Sequence, residues 1–217
     1  MSAIKWFEAC GIVAWPLLAF SILGLALIVE RSVFWYQVNR RQRRLVREVL
    51  KTYPYDPNMA LHWLKKNPDL PIARIFLEAL ELKRPSPEKF RLAMDSAIQA
   101  EIPTLKRFNT VFDTIIAISP LLGLLGTVLG LITAFGSLTL GDVGGTKTAG
   151  VTAGISEALV STASGLVVAL FTLLFANSFR GFYLREIARI QEYGGQLEIL
   201  YIEQYEQGDV PYAPIHR

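Results

Sequence analysis

Three long apolar stretches dominate the pattern of hydrophobic and polar positions along this chain. They run from about Gly11 to Val29, from about Ile115 to Leu138 and from about Ile155 to Ala176. Each is close to the roughly 20 residues that an α-helix needs to cross a bilayer. Only the third carries a charged residue, Glu157. The pattern predicts an all-α integral membrane protein with three transmembrane helices.

Helical patterning continues beyond the first apolar stretch. The first helix is expected to reach about Tyr53. Asp56 and Ser86, each followed by a proline, have the residue types of N-cap positions. Short helices are expected over about 57–66 and 72–82. Because they lie in so short a loop, we expect them to bury little among themselves and to extend the membrane bundle.

The longest predicted helix starts at the second of these caps and reaches Gly136. Pro103 and Pro120 are expected to bend it without ending it. Its roughly 50 residues would measure roughly 75 Å, more than twice the thickness of a bilayer. The third span also continues toward the C-terminus, with Gly194-Gly195 as its weak point. We therefore expect the second and third transmembrane helices to extend far into the cytoplasm.

Basic residues set the expected orientation. A dense arginine run follows the first span, whereas the charges between the second and third spans are limited to Asp142 and Lys147. The positive-inside rule places the N-terminus outside and the long loop and C-terminus in the cytoplasm. A signal peptide carries its positive charge before the apolar run, so the first stretch is interpreted as a retained anchor. The predicted organisation is an outside N-terminus and first span (1–36), a cytoplasmic helical loop (37–112), the second span (113–138), a periplasmic loop (139–154), the third span (155–178), and a cytoplasmic C-terminal helix and tail (179–217).

Composition narrows the function classes. Hydrophobic residues make up 52% of the 217 residues, more than in an average soluble domain. The single cysteine, Cys10, allows no internal disulfide. The basic cluster indicates topology and contact with anionic lipid rather than nucleic acid, because the aromatics Trp35 and Tyr36 precede it at the membrane edge. The sequence offers no nucleophile–base pair, phosphate loop or metal-ligand spacing, and Gly144 to Lys147 are expected to form a turn. We therefore predict no enzyme, no metal and no cofactor.

Small residues line one face of the second and third spans. On a helical wheel the second span groups Gly123, Gly126, Thr127, Gly130 and Ala134, and the third groups Gly154, Ala158, Ser161, Thr162, Gly165, Ala169 and Thr172. Such faces let helix backbones approach closely. Helix packing and the docking of a partner helix are both consistent with them. The residues assigned to these two roles are Pro120, Gly123, Gly126, Gly130, Ala158 and Gly165.

The polar residues on these faces favour a path for protons or cations. Thr127 and Thr162 are mid-membrane hydroxyls, and a carboxylate such as Glu157 is costly at membrane depth unless it meets water or a partner. Alternatively, Glu157 lies near enough to the outer interface to be solvated. Neither threonine titrates, so the acid that such a path needs is expected on another chain.

The segments "GLLGTVLGLITAF" and "VTAGISEALVSTASGLVVAL" resemble the MotA/TolQ/ExbB proton-channel family, whose patterns are GLxGTVxG and GIxEALxxTAxGL. The resemblance covers about 113–178, and three spans rather than four favour the ExbB/TolQ branch. It implies a homopentamer of this subunit around the single transmembrane helices of an ExbD- or TolR-type partner dimer, which brings a membrane aspartate. Thr127 and Thr162 would be the pore-lining hydroxyls near that aspartate, and Glu157 the acid of the EAL motif. It also implies a bacterial cytoplasmic (inner) membrane location with a periplasmic N-terminus.

Two hypotheses of function follow. The first is a proton-driven stator that energises a TonB-like protein for outer-membrane uptake or, as a TolQ-type subunit, a TolA-like protein for envelope integrity. The short N-terminus leaves the ExbB or TolQ choice open. The second is a non-conducting membrane scaffold whose small faces only assemble an oligomer. The lack of further membrane carboxylates favours protons over sodium.

Overall fold

A computed structural model describes residues 10–136 and 146–208. The chain divides into two compact units, the first from Met1–Glu30 and Phe108–Phe179 and the second from Arg31–Arg107 and Arg180–Arg217. After a 3-10 turn at Gly11–Val13, the described residues form helices α1 (Ala14–Thr52), α2 (Pro57–Lys65), α3 (Pro71–Leu80), α4 (Pro87–Leu105), α5 (Asn109–Gly136) and α6 (Thr146–Glu206). Across these described ranges there is no strand.

Three helical stretches are long and apolar enough to cross a membrane. They lie in Gly11–Thr52, Pro87–Gly136 and Gly150–Glu206. The prediction of an all-α protein with three such helices is thereby confirmed for the described residues, and the helices of the first and third stretches run well beyond their apolar parts. Of the predicted turn at Gly144 to Lys147, the first two residues lie outside the described residues, whereas Thr146 and Lys147 already belong to α6. The part of the predicted loop (139–154) that the structure describes is therefore helical.

The first unit contains the apolar parts of α1, α5 and α6. The 3-10 turn buries Val13 and the start of α1 buries Leu17, and a Cβ at Gly24 would lie 3.4 Å from Thr172 Oγ1 of α6. The outward face of α5 stays exposed, with Ile132 at 62% and Phe135 at 67%. Exposed aliphatic and aromatic surface of this kind is suited to lipid tails, which are as apolar as leucine.

The second unit has a hydrophobic core of its own, which corrects the expectation that the short helices bury little among themselves. Helix α3 buries seven of its ten residues. Its sequence PIARIFLEAL is apolar except for Arg74 and Glu78, which lie one turn apart on one side, so the rest of its surface has to be covered by other helices. The core is completed by neighbouring helices, and its fully buried side chains include Val49, Leu64, Ile72, Phe76, Phe90 and Leu197.

Two helix starts follow the predicted capping chemistry. The Asp56 carboxylate accepts a hydrogen bond from the Met59 amide at 3.0 Å, and the Ser86 hydroxyl accepts one from the Lys89 amide at 3.4 Å. In both cases proline takes the first helical position, where a missing N–H costs nothing. The two N-cap predictions are confirmed.

The predicted 50-residue helix is interrupted between α4 and α5, at Lys106 to Phe108. Phe108 has a φ of 68°, a left-handed conformation that ends a helix. The Arg31 guanidinium, 2% exposed, donates to the Thr104 carbonyl at 3.4 Å and so satisfies an end carbonyl of α4. Pro103 lies inside α4, two residues before its end. The break coincides with the boundary between the two units.

Helix α6 continues without a break from Thr146 to Glu206. The predicted weak point at Gly194-Gly195 does not interrupt it. Gly194 lies against Met94 of α4, with its Cβ position 3.6 Å from Met94 Cγ. Tertiary packing therefore offsets the low helix propensity of two adjacent glycines.

Candidate functional site

The second and third spans meet backbone to backbone along a line of glycines. A Cβ added at Gly130 would lie 2.7 Å from the Gly154 carbonyl oxygen and 2.8 Å from the Ala158 nitrogen. A Cβ added at Gly165 would overlap the carbonyl oxygen of Ser119. Atoms of a side chain do not approach a backbone this closely, so glycine is the residue that fits.

Two more predicted residues of α5 take part in the same contact. A Cβ at Gly123 would lie 3.0 Å from the Ser161 carbonyl oxygen and 3.0 Å from Thr162 Cα, and one at Gly126 would overlap the Ser161 side chain. Ala158 of α6 is 3% exposed. The face predicted to dock a partner helix is thus occupied, within this chain, by its own third span. Docking of a partner on these residues stays a prediction.

Pro120 lies inside α5 and is half-buried. Proline has no N–H, so the helix loses one hydrogen bond to the carbonyl one turn earlier, and the helix continues through it. The preceding Ser119 is fully buried, and its hydroxyl has no hydrogen-bond partner within the described part of the chain. In the described part of the chain, the Ser119 hydroxyl is therefore an unsatisfied polar group next to the Gly165 contact.

The two predicted threonines are both half-buried and both donate to backbone carbonyls of α5. Thr162 Oγ1 donates across the helix contact to the Gly123 carbonyl at 3.0 Å. Thr127 Oγ1 donates to the Leu124 carbonyl of its own helix at 2.5 Å. A hydroxyl has one donor and two acceptor lone pairs, so both oxygens can still accept a hydrogen bond.

Glu157 lies against the beginning of the first span. Its carboxylate occupies the space where a side chain on Gly11 would be, and Gly11 has a φ of 60°. The 3-10 turn that starts at Gly11 exposes backbone N–H groups, and a carboxylate is favoured at such a helix start. Glu157 is half-buried here, in contact with its own chain.

One further polar contact joins the third span to the residue that precedes the first span, and two more hydrogen bonds lie within α6. Cys10 Sγ, which is buried, lies 3.3 Å from Ser164 Oγ. Ser164 Oγ donates to the Val160 carbonyl at 2.7 Å. Ser161, which is fully buried, donates to the Ala158 carbonyl at 2.9 Å. Ser161 and Ser164 follow Glu157 by four and seven residues and so share its side of α6, whereas the sequence offered no signal for the contact of Cys10.

A second polar cluster, not foreseen from the sequence, lies in the second unit. Glu186, 3% exposed, accepts a hydrogen bond from Gln42 Nε2 and lies 3.6 Å from Arg189 Nη1. Arg189 also donates to Asn39 Oδ1 at 3.0 Å. Burial raises the pKa of the Glu186 carboxyl, while Gln42, Arg189 and Arg43 oppose that rise. A single glutamate in a long helix gives no local sign that distant residues will bury it.

Metal binding finds no support in the geometry. In residues 10–136 and 146–208, no group of three His, Cys, Asp or Glu side chains is arranged to hold a metal ion. Around the contact of the second and third spans the polar atoms are mainly hydroxyls and backbone carbonyls, which suit hydrogen-bonded acids and water rather than transition metals.

Comparison with known proteins agrees with this architecture. The chain is 60% identical over 199 residues to the ExbB-like 3 protein of Synechocystis sp., covering 92% of this chain and 95% of that protein. It is 28% identical over 171 residues to the biopolymer transport protein ExbB of Salmonella typhimurium (75% and 69% coverage) and 36% identical over 109 residues to the Tol-Pal system protein TolQ of Haemophilus influenzae (49% and 44%). Residues 67–192 match the MotA/TolQ/ExbB proton channel family. With three membrane-crossing helices and this match over more than half of its length, the chain is a multi-pass membrane protein that belongs to the MotA/TolQ/ExbB proton channel family.

Proposed function

We propose that this protein is the stator subunit of a proton-driven motor, in which an acid on a partner helix exchanges its proton beside Thr127 and Thr162. The observation that carries the proposal is the direction of the two threonine hydrogen bonds. Both hydroxyl protons are used on backbone carbonyls of α5, at Leu124 and Gly123. Both oxygens are left as acceptors.

An acceptor distinguishes the two states of a carboxyl group. A protonated carboxyl has an O–H to donate, whereas a carboxylate only accepts. Two acceptor oxygens therefore favour the neutral acid and give nothing to the charged one. The site would hold a partner acid while it carries a proton and release it after the proton leaves.

The acid itself has to come from another chain. Between 115 and 138 the second span has no Asp or Glu, and the third has Glu157 alone, which contacts the start of the first span. A single-span protein of ExbD or TolR type, carrying an aspartate in its membrane helix, has the chemistry required. The resemblance of the motifs to the family further implies that five copies of this subunit surround that partner.

The energy that the membrane potential supplies per charge is comparable to the energy of the proposed hydrogen bonds. One elementary charge moving through 100 mV corresponds to about 2.3 kcal/mol. A single neutral hydrogen bond contributes about 1 kcal/mol. The membrane potential is therefore large enough to bias a contact made by one or two hydroxyls, and a buried ion pair at the same place would resist it.

The proposed output is the movement of a TonB-like protein that serves uptake across the outer membrane. The subunit would lie in the bacterial cytoplasmic membrane, with a periplasmic N-terminus and a cytoplasmic C-terminus, as the distribution of basic residues favours. The similarity to a TolQ protein supports a second candidate, a TolQ-type subunit working with a TolA-like protein for envelope integrity. Both share the same proton chemistry.

Proton flux in liposomes tests the proposal. Vesicles containing this protein and its single-span partner should take up protons when a potential is applied, and Thr127→Val and Thr162→Val should each reduce the rate at least about tenfold, the equivalent of 1.4 kcal/mol. Thr→Ser at either position keeps the acceptor and should retain most of the rate. Thr133→Val is the matched control, because Thr133 is exposed on the same helix and donates to the Leu129 carbonyl. Undiminished flux in both valine variants would remove the two threonines from the proton path, whereas absence of flux in the unmodified protein with its partner would leave the non-conducting scaffold as the better account.

A further inference from the structure

Two oppositely charged grooves flank helix α6 in the second unit. The basic groove lies between α1 and α6 and contains Arg43, Arg47 and Arg189 with Glu192. The acidic groove lies between α4 and α6 and contains Glu88, Asp95 and Glu198 with Arg91. Their volumes are similar, about 480 Å³ and about 520 Å³.

The grooves lie on opposite sides of α6. Gln196 lines the basic groove and Glu198 the acidic one, and two residues of an α-helix are about 200° apart around its axis. Between these two sides α6 turns Ile190 and Leu197 into the core. One chain therefore cannot bring its own two grooves together.

Both grooves contain charged side chains that form no ion pair with any described residue, although Arg189 of the basic groove is paired with Glu186. Within the described part of the chain, Arg43 and Arg47 form no ion pair, and neither do Glu88 and Asp95. The basic groove also has an apolar floor at Val46, which is 2% exposed. The acidic groove carries an apolar side chain, Leu92, that is 70% exposed.

We propose that the acidic groove of one copy of this chain docks into the basic groove of the next copy. The net charges are opposite, and the exposed Leu92 between Glu88 and Asp95 faces a partner groove with an apolar floor. Complementary charge fixes the register of such an interface and excludes wrong pairings. Because the two surfaces differ and lie on opposite sides of α6, the contact is head-to-tail, an arrangement that forms a ring when the rotation between successive copies closes. The proposal rests on the second unit alone and does not depend on proton conduction.

Disulfide cross-linking of the full chain in membranes tests the contact. Cys10 is the one native cysteine, so Cys10→Ala gives a cysteine-free background. In it, Leu92→Cys combined with Gln196→Cys should give, on oxidation, a ladder of dimers, trimers and larger species. Each single-cysteine variant should give at most a dimer. Absence of cross-links in the double variant, or a product that stops at the dimer, would overturn the head-to-tail contact.

Charge reversal then tests the electrostatic part. Arg43→Glu with Arg47→Glu should reduce the cross-linked fraction at least about tenfold, and adding Glu88→Arg with Asp95→Arg should restore it. Lys66→Glu with Lys83→Glu makes the same change of charge at exposed positions outside both grooves and should have no effect. The arginines could instead bind an anionic lipid headgroup. In that case Glu88→Arg with Asp95→Arg will not restore cross-linking. Cross-linking in neutral detergent will also be unchanged by Arg43→Glu and Arg47→Glu. That result would overturn the proposal.

Discussion

The carboxylate of Glu157 fills the place of the side chain that Gly11 does not have. Gly11 is also in the left-handed region, with a φ of 60°. Both facts require glycine at this position, one for space and one for conformation. Contact between the third span and the start of the first therefore depends on a residue that apolar patterning alone would treat as interchangeable.

Gly11→Ala should lower the stability of the protein by about 2 kcal/mol or more. The cost of a left-handed backbone at alanine and the cost of displacing the Glu157 side chain are added together. Thermal unfolding in detergent, followed by circular dichroism, measures the change. In a Glu157→Ala background the collision is gone, so the cost of Gly11→Ala should fall to about 1 kcal/mol of strain. Gly24→Ala is the control, because its Cβ would meet Thr172 Oγ1 at an ordinary 3.4 Å. Equal costs in both backgrounds would contradict the contact.

Gly130→Ala should separate the second and third spans. Its Cβ would lie 2.7 Å from the Gly154 carbonyl oxygen, a backbone atom that cannot rotate away. Forcing a methyl group into such a contact costs typically about 1–3 kcal/mol. Gly136→Ala, at the end of the same helix and with no atom within 4 Å, should unfold at the wild-type temperature. A Gly130→Ala variant as stable as Gly136→Ala would be inconsistent with the backbone contact.

Glu186→Gln should remove a pH dependence of stability. Burial raises the pKa of Glu186 above its ordinary value of 4.5, so the folded state holds its proton over a pH range in which the unfolded chain has lost it. The free energy of unfolding therefore falls as pH rises from about 4.5 through the raised pKa, and is largest below 4.5. Glutamine still accepts the hydrogen bond from Gln42 and does not ionise. Midpoints of thermal unfolding between pH 4 and 8 should fall with pH in the wild type and stay flatter in Glu186→Gln; parallel curves would exclude this residue as the cause.

Tyr201→Phe should weaken the end of α6. The Tyr201 hydroxyl donates to the Pro85 carbonyl at 2.7 Å, and its ring stacks on Phe90 at 4.1 Å between centroids. Burial raises the pKa of Tyr201 to about 12, so the donor is present at every physiological pH. Phenylalanine keeps the stacking and leaves a buried carbonyl without a partner, which costs about 1–3 kcal/mol. Hydrogen exchange of the amides near 201 should accelerate, whereas Tyr205→Phe, at a residue 42% exposed, should leave it unchanged.

Local chemistry accounts for the parts of the fold that the sequence predicted. Asp56 and Ser86 cap their helices through amides three residues away, so their capping could be inferred from neighbouring residues alone. The end of α4 has no such local signal. It depends on a left-handed Phe108 in place of a glycine and on Arg31, which comes from 73 positions earlier in the chain. A break stabilised by a distant side chain cannot be inferred from spacing.

The same distinction applies to the candidate site. Helical periodicity was sufficient to group Gly123, Gly126 and Gly130 on one face, because the period of an α-helix is fixed. It did not determine what lies opposite that face, since a helix of the same chain and a helix of a partner need the same small residues. The third span lies there within this chain, and the contact of Glu157 with Gly11 likewise joins residues far apart in sequence.

The direction of the threonine hydrogen bonds also limits how an ion could travel. With both O–H groups committed to carbonyls at Gly123 and Leu124, these hydroxyls are poor links in a water-like wire along which protons hop. Each proton would then be carried by the partner acid that binds it, one proton in each cycle. Throughput under the proposed function would follow the turnover of a mechanical cycle and would saturate with driving force, unlike the current of an open pore.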